Sequence, residues 1–242
     1  MANSFFQFKQ FTIRHDLCAM KVGTDGVLLG AWASVSDTKT LLDVGTGTGL
    51  ISLMMAQRRA SINSTFHIDA IDIDKDAARQ ATLNTEASPF QKYITVTPIS
   101  FLEYAGTVDK KYDLIVSNPP YFSRSLKCPD TKRSTARHND SLPLEELITG
   151  CRALLSPHGK IALILPSEQE KEIELLATQN NVFFLRKTYV VPTLHALPKR
   201  ILIELSDYPE TDMQIEWLVI EKSRHRYTEE YIALTKDFYL KM

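Results

Sequence analysis

The sequence predicts an α/β fold: a seven-stranded, mainly parallel sheet with helices on both faces and an antiparallel hairpin at one edge. Three observations predict it. From residue 41 onward, short apolar runs alternate with helix-sized stretches, the pattern of successive βαβ units. A glycine-rich turn, Gly45 to Gly49, follows the first of these runs and opens the first helix. The last two runs, Val182–Val191 and Arg200–Leu205, lack a helix-sized spacer and therefore read as antiparallel neighbours.

Each element has a local reason. Residues 1–40 read as an N-terminal cap on one domain whose core is 41–242; within the cap, the turn Val22–Gly26 precedes a short helix, Val27–Ala33, with Trp32 on its buried side. Leu41–Val44 is a short apolar strand, and Leu50–Arg58 is a helix. His67–Ile73 is the second strand, and the alanine-rich helix Lys75–Glu86 stops near Pro89. Tyr93–Thr97 and Tyr112–Ser117 are the third and fourth strands, followed by a polar loop over 122–142. Leu144–Leu155 has apolar residues at helical spacing, and Pro157-His158-Gly159 is expected to end that helix. Lys160–Leu165 is a strand and Glu168–Gln179 an amphipathic helix. In the tail, Tyr231, Leu234, Phe238 and Tyr239 share one helical face.

The chain has 242 residues, of which 44% are hydrophobic, enough for a full core without disulfides. Cys18, Cys128 and Cys151 are far apart and form neither a zinc set nor a disulfide framework, so no metal and a reducing, cytoplasmic setting are expected. The first ten residues carry no secretory pattern, and runs such as Ile161–Leu165 are far too short to span a bilayer. A formal net charge of −1 argues against a polybasic coat for nucleic acid, while leaving room for a local patch.

Two motifs carry chemistry. Asp43-Val44-Gly45-Thr46-Gly47-Thr48-Gly49 has the spacing Gly-x-Gly-x-Gly. It is neither the dinucleotide fingerprint, which needs glycine where Leu50 stands, nor a P-loop, which needs a following Gly-Lys-Ser/Thr. Its glycines allow a tight turn and close approach to a ligand at a helix N-terminus. Asp72, at the end of the second strand, can accept both hydroxyls of a ribose, whereas Asp74 is the better helix cap. The second motif is Asn118-Pro119-Pro120-Tyr121 after the fourth strand. Proline fixes φ and holds Asn118 extended. The Asn118 side-chain oxygen and the Pro119 carbonyl can then converge on an exocyclic amine, freeing its lone pair to attack and stabilising the positive charge that develops. Tyr121 can stack on the planar group bearing the amine.

Together these segments resemble the class I S-adenosylmethionine-dependent methyltransferases, which implies a Rossmann-like fold and S-adenosylmethionine as cofactor. The resemblance implies that Asp43, Gly45, Thr46, Gly47, Gly49, Asp72, Ile73, Ser100 and Asn118 bind the cofactor, with Lys21 and Asp25 bordering the pocket. It makes Asn118, Pro119 and Tyr121 the catalytic group. Ser100 stands where many such enzymes carry an acid to the cofactor's adenine. Met20–Trp32, Phe8–Phe11, His15-Asp16 and Tyr227–Leu240 are similar to the bacterial tRNA1(Val) (adenine-37-N6)-methyltransferase family. That resemblance implies tRNA as the partner and an adenine beside the anticodon as the target, with a monomer and no obligate protein partner expected.

The loop 122–142 fits that expectation. Within Phe122–His138, Arg124, Lys127, Lys132, Arg133 and Arg137 stand against Asp130, a local charge of +4 beside the amine motif. With His138 they are candidate RNA contacts flanking a flipped base. Lys222, Arg224, His225 and Arg226 form a second basic cluster, readable as a solvated face. Alternatives stay open: glutamine N5 methylation of a release factor, which resembles the same motif but with a helical N-terminal domain; DNA adenine methylation; or a silent cofactor- or RNA-binding module.

Overall fold

A computed structural model describes residues 4–18, 21–62, 65–120, 142–210 and 212–242. In chain order, β1 (Phe5–Gln7) and β2 (Thr12–Arg14) form an antiparallel hairpin and α1 (Thr24–Trp32) follows. The next units are β3 (Thr40–Val44), α2 (Leu50–Ala60), β4 (His67–Asp72), α3 (Lys75–Glu86) and β5 (Ile94–Pro98). Then come α4 (Phe101–Thr107), β6 (Tyr112–Ser117), α5 (Leu144–Leu154), β7 (Leu155–Pro166) and α6 (Glu170–Gln179). The chain closes with β8 (Phe183–Thr193), β9 (Arg200–Ser206), β10 (Gln214–Ser223), β11 (Arg226–Tyr227) and α7 (Glu229–Thr235).

The main sheet has nine strands in the order β11-β10-β8-β9-β7-β6-β3-β4-β5. The seven expected strands are β3 to β9; β10 and β11 extend the sheet beyond them. The antiparallel pair β8–β9 exists, but it is not the edge: β9 lies between β7 and β8, and β10 pairs parallel with β8 on its far side. Helix α5 ends at Leu154, close to the expected end, but the following strand starts at Leu155 rather than Lys160, and Pro157–Gly159 form a bulge inside β7. Tyr112 of β6 faces Leu155 and Leu114 faces Lys160, so residues 156–159 bow out between them, with His158 at φ 61.

Alternation along the strands feeds two cores. Leu41, Leu114, Val116 and Ala162 pack with α1, α2 and the N-terminal aromatics Phe8 and Phe11. Leu42, Val44, Ile115 and Leu163 pack with Leu147, Ile148 and Cys151 of α5 and Ile173 of α6. Trp32 is buried as expected, donating its indole N–H to Thr188 Oγ1 at 2.9 Å. The β1–β2 hairpin is tied to the C-terminus by Lys9 N donating to Phe238 O at 2.8 Å and by Phe8 stacked on Tyr239.

Strand order reverses between β3 and β6: from β3 the chain proceeds outward to β4 and β5, and from β6 it proceeds the other way to β7. In such sheets the crevice for a ligand lies outside the carboxyl ends of the strands at that reversal. Both sequence motifs sit there, one after β3 and one after β6. Among the described residues, no helix is long and apolar enough to cross a membrane.

Candidate active site

The turn after β3 is built on three left-handed glycines, Gly45 (φ 71), Gly47 (φ 57) and Gly49 (φ 80). A Cβ at Gly45 or Gly47 would touch nothing within 4 Å, so the backbone angle, not crowding, demands glycine at these two positions. The turn is pinned to β4, since Gly45 N and Thr46 N both donate to Ile71 O at 2.9 Å. Asp43 locks it from below. Fully buried, its Oδ2 accepts from Thr46 Oγ1 (2.7 Å), Ser52 Oγ (2.6 Å) and Ser52 N (3.2 Å).

Asp72 closes the other side. Its Oδ2 accepts from Gly47 N at 2.8 Å and its Oδ1 from Asp74 N at 2.9 Å, while burial pushes its carboxyl above the usual range. Asp74 caps α3, accepting from Asp76 N and Ala77 N. After β6, Ser117 donates to Val44 O at 2.8 Å, fastening the strand that carries Asn118 to the strand that carries the glycines.

These pieces enclose a cavity of about 560 Å³. Gly45, Gly47, Asp72, Ile73, Ser100, Asn118 and Pro119 all line it. Ile73, 52% exposed, joins Ile99, Phe101 and Leu102 in an apolar wall. Ser100 also caps α4, accepting from Glu103 N at 3.2 Å. Asp43, Thr46 and Gly49 do not reach the lining; they shape the turn behind it. Lys21 and Asp25 do not line it either, and Asp25 instead accepts from Arg200 Nε at 2.8 Å. Tyr121, Arg124, Lys127, Lys132, Arg133, Arg137 and His138 lie outside the described residues.

Sequence reasoning missed Cys18, Leu142, Pro143 and Glu146 in the wall. Cys18 arrives because Asn84 and Gln80 of α3 clamp the N-terminal segment. Arg14 N donates to Asn84 Oδ1 and Leu17 N to Gln80 Oε1, while Asn84 Nδ2 also donates to Thr48 O of the glycine turn. Two side-chain amides buried on a helix face were the available signal.

The family described as "Methyltransferase small domain" matches residues 22–191. A tRNA1(Val) (adenine(37)-N6)-methyltransferase of Parabacteroides distasonis is 55% identical over 242 residues, covering 100% of both chains. Proteins of the same name from Bacteroides fragilis and Trichodesmium erythraeum are 48% and 46% identical, again over 100% of both chains. The chain belongs to this family. Among solved structures, a predicted O-methyltransferase from Agrobacterium tumefaciens superposes with a TM-score of 0.68 at 19% identity, over 88% of this chain and 96% of that one. The 16S rRNA N2 G1207 methyltransferase of T. Thermophilus, in complex with AdoMet and guanosine, gives 0.56 at 17% identity, over 84% of this chain and 50% of that one. At these identities the likeness speaks for the class I methyltransferase fold.

The site chemistry of this family member fits S-adenosylmethionine. The cavity has the volume of a small-ligand pocket. It joins an apolar wall to a carboxylate and to a glycine turn without side chains in the way. Among the described residues, no group of three or more His, Cys, Asp or Glu is disposed to hold a metal ion.

Asp43 makes stability depend on pH. Burial raises its carboxyl from an ordinary 3.8 to about 6, against the lowering effect of the Ser52 and Thr46 hydrogen bonds. A carboxyl raised on folding favours the native state below its unfolded pKa, and that contribution is lost as pH rises through the folded value. The loss is about 3 kcal/mol for a shift of this size. Asp43→Asn keeps the shape and cannot ionise. Urea unfolding of both proteins from about pH 4 to pH 7 should show the variant gaining on the wild type by up to that amount. Parallel curves would show that Asp43 titrates normally.

Proposed function

We infer that this chain transfers the methyl group of S-adenosylmethionine to the N6 amine of an adenine in tRNA, namely adenine 37 of tRNA1(Val). The observation that carries the reading is the shared cavity: Asn118 and Pro119 line it together with Gly45, Gly47 and Asp72. The full-length relatives, 46–55% identical, supply the substrate in their name.

S-adenosylmethionine, when bound, supplies an electrophilic methyl carried on a sulfonium. Asp72 would hold its ribose hydroxyls, the backbone of Gly45 and Gly47 would lie against its amino-acid end, and Ile73, Ile99 and Leu102 would cover its adenine. Ser100, with one lone pair engaged in the helix cap, retains acceptor capacity for the adenine amine. On the substrate side, Asn118 Oδ1 and Pro119 O accept the two N–H bonds of the target amine. Accepting hydrogen bonds from both N–H groups favours a more tetrahedral nitrogen and draws its lone pair away from the ring. The same oxygens stabilise the positive charge that builds on nitrogen as the new N–C bond forms, an effect that needs no reorganisation because Pro119 and Pro120 fix the backbone. As the N–C bond forms the S–C bond would break, leaving a neutral thioether and moving the positive charge to nitrogen; that cation is strongly acidic and would yield its proton to solvent, so no strong base is needed. Tyr121 would stack on the flipped adenine, and Arg124, Lys127, Lys132, Arg133, Arg137 and His138 would hold the flanking phosphates. One continuous sheet carries every strand from β3 to β11, which supports reading 1–242 as one catalytic domain.

The test is transfer of labelled methyl from S-adenosylmethionine to total tRNA, rRNA, DNA and a release factor in parallel. Label is expected in tRNA alone, and digestion is expected to release it as N6-methyladenosine. Label in the release factor instead would move the Asn118 pocket to a glutamine amide.

A further inference from the structure

We propose that two turns on the carboxyl edge, 193–199 and 222–226, form a second RNA contact surface, an apolar wedge flanked by cations that grips the tRNA away from the target base. The proposal rests on the tRNA reading above and adds a surface to it.

The two turns are neighbours. The first joins β8 to β9 and the second joins β10 to β11, and the register between β10 and β8 sets Glu221 against Thr193. β8 and β10 run parallel to β6, so both turns stand on the edge that carries Asn118. Four strand steps separate β6 from β10, about 19 Å across the sheet at the usual spacing. A folded anticodon arm covers that span and a lone nucleotide does not.

The first turn presents Leu194 and Leu197 to solvent, 57% and 79% exposed. One exposed leucine is ordinary, but two on a single turn above a ligand edge mark a contact site. The turn is held rigid. Ala196 N donates to Thr193 O and Lys199 N to Val190 O, both at 2.9 Å, while Ser167 Oγ donates to Pro198 O at 2.8 Å. A fixed apolar projection of this kind can prop unstacked bases apart.

The charges identify the occupant. Arg200 is tied to Asp25, and Lys222 to Glu229. Lys199, Arg224 and Arg226 are exposed, and no ion pair among the described residues engages them. His195 and His225 lie exposed between them. Cations without partners around apolar side chains match a single-stranded RNA loop, whose phosphates and splayed bases need both. A protein partner of ordinary charge would leave these cations uncompensated.

The experiment uses two double variants, Leu194→Ser with Leu197→Ser, and Arg224→Ala with Arg226→Ala. All four residues are exposed, so thermal midpoints should match the wild type. KM for the tRNA transcript is expected to rise about tenfold in each, with kcat and the Kd for S-adenosylmethionine unchanged. In the arginine variant, the slope of log affinity against log salt should shrink by roughly 1.5. An unchanged tRNA KM in both variants overturns the surface. If the wild type itself fails to methylate tRNA, the tRNA reading falls instead, so the two failures are distinguishable.

Discussion

Asn118→Ala is expected to retain S-adenosylmethionine binding and to lose methyl transfer, with kcat down by about 10²–10³ or more. That is the range seen when one preorganised group is removed from a transition-state site. On the proposed reading, the alanine removes the side-chain oxygen that would accept one amine N–H, and leaves Pro119 O to accept the other. The fold should not change. Asn118 follows the last paired residue of β6, and Ser117 holds that end through its bond to Val44 O. Single-turnover transfer at saturating tRNA and cofactor isolates the chemical step, and calorimetry reports cofactor affinity separately. Turnover within tenfold of wild type would remove Asn118 from the amine pocket. A matching fall in cofactor affinity would reassign it to holding the cofactor.

The central half of the fold was legible because parallel strands are buried on both faces and read as unbroken apolar runs. Ile161–Leu165 and Leu114–Val116 are such runs, and every one of their residues is fully buried. β10 was not legible. Its sequence, Gln-Ile-Glu-Trp-Leu-Val-Ile-Glu-Lys-Ser, mixes charge and bulk, and Ile215 and Trp217 remain more than half exposed. Its place is set by pairing with β8, a long-range register that no local period announces. The first residues of β7 were missed for a related reason. Pro157-His158-Gly159 looks like a helix stop, yet Gly159 is needed because a Cβ there would stand 2.7 Å from Tyr112 O of the neighbouring strand.

The site divides the same way. Positive-φ glycines and a proline pair write their geometry into the local sequence, so the two sides of the cavity were readable. Which side chains turn inward was not. Asp43 and Thr46 face each other beneath the turn, and Asp25 is drawn to Arg200, 175 residues away in the chain. Cys18 reaches the wall through amides on α3 that no spacing rule would connect to it.

Asp72→Ala should act on the cofactor and spare the chemistry. Among the described residues its carboxylate accepts two backbone N–H groups, from Gly47 and Asp74, while its burial raises its pKa. The charge is thus short of donors, and two ribose hydroxyls would supply them. Hydrogen bonds to a charged group contribute about 1.5–3 kcal/mol each. Removing the carboxylate, and with it both bonds, should therefore raise the Kd for S-adenosylmethionine by about 100-fold or more, even if the Gly47 turn relaxes to compensate in part. kcat at saturating cofactor should change little, because Asp72 lies on β4 and the amine pocket on β6, with β3 between them. Asp72→Asn separates charge from shape: it keeps one acceptor and should fall between alanine and wild type. The raised carboxyl also fixes the sign of the pH effect. As pH falls, Asp72 protonates earlier than an ordinary aspartate, so wild-type cofactor affinity should decline on the acid side while that of Asp72→Asn stays level. Calorimetric titration across acidic pH measures all three proteins. Equal affinities throughout would confine Asp72 to bracing the glycine turn against β4.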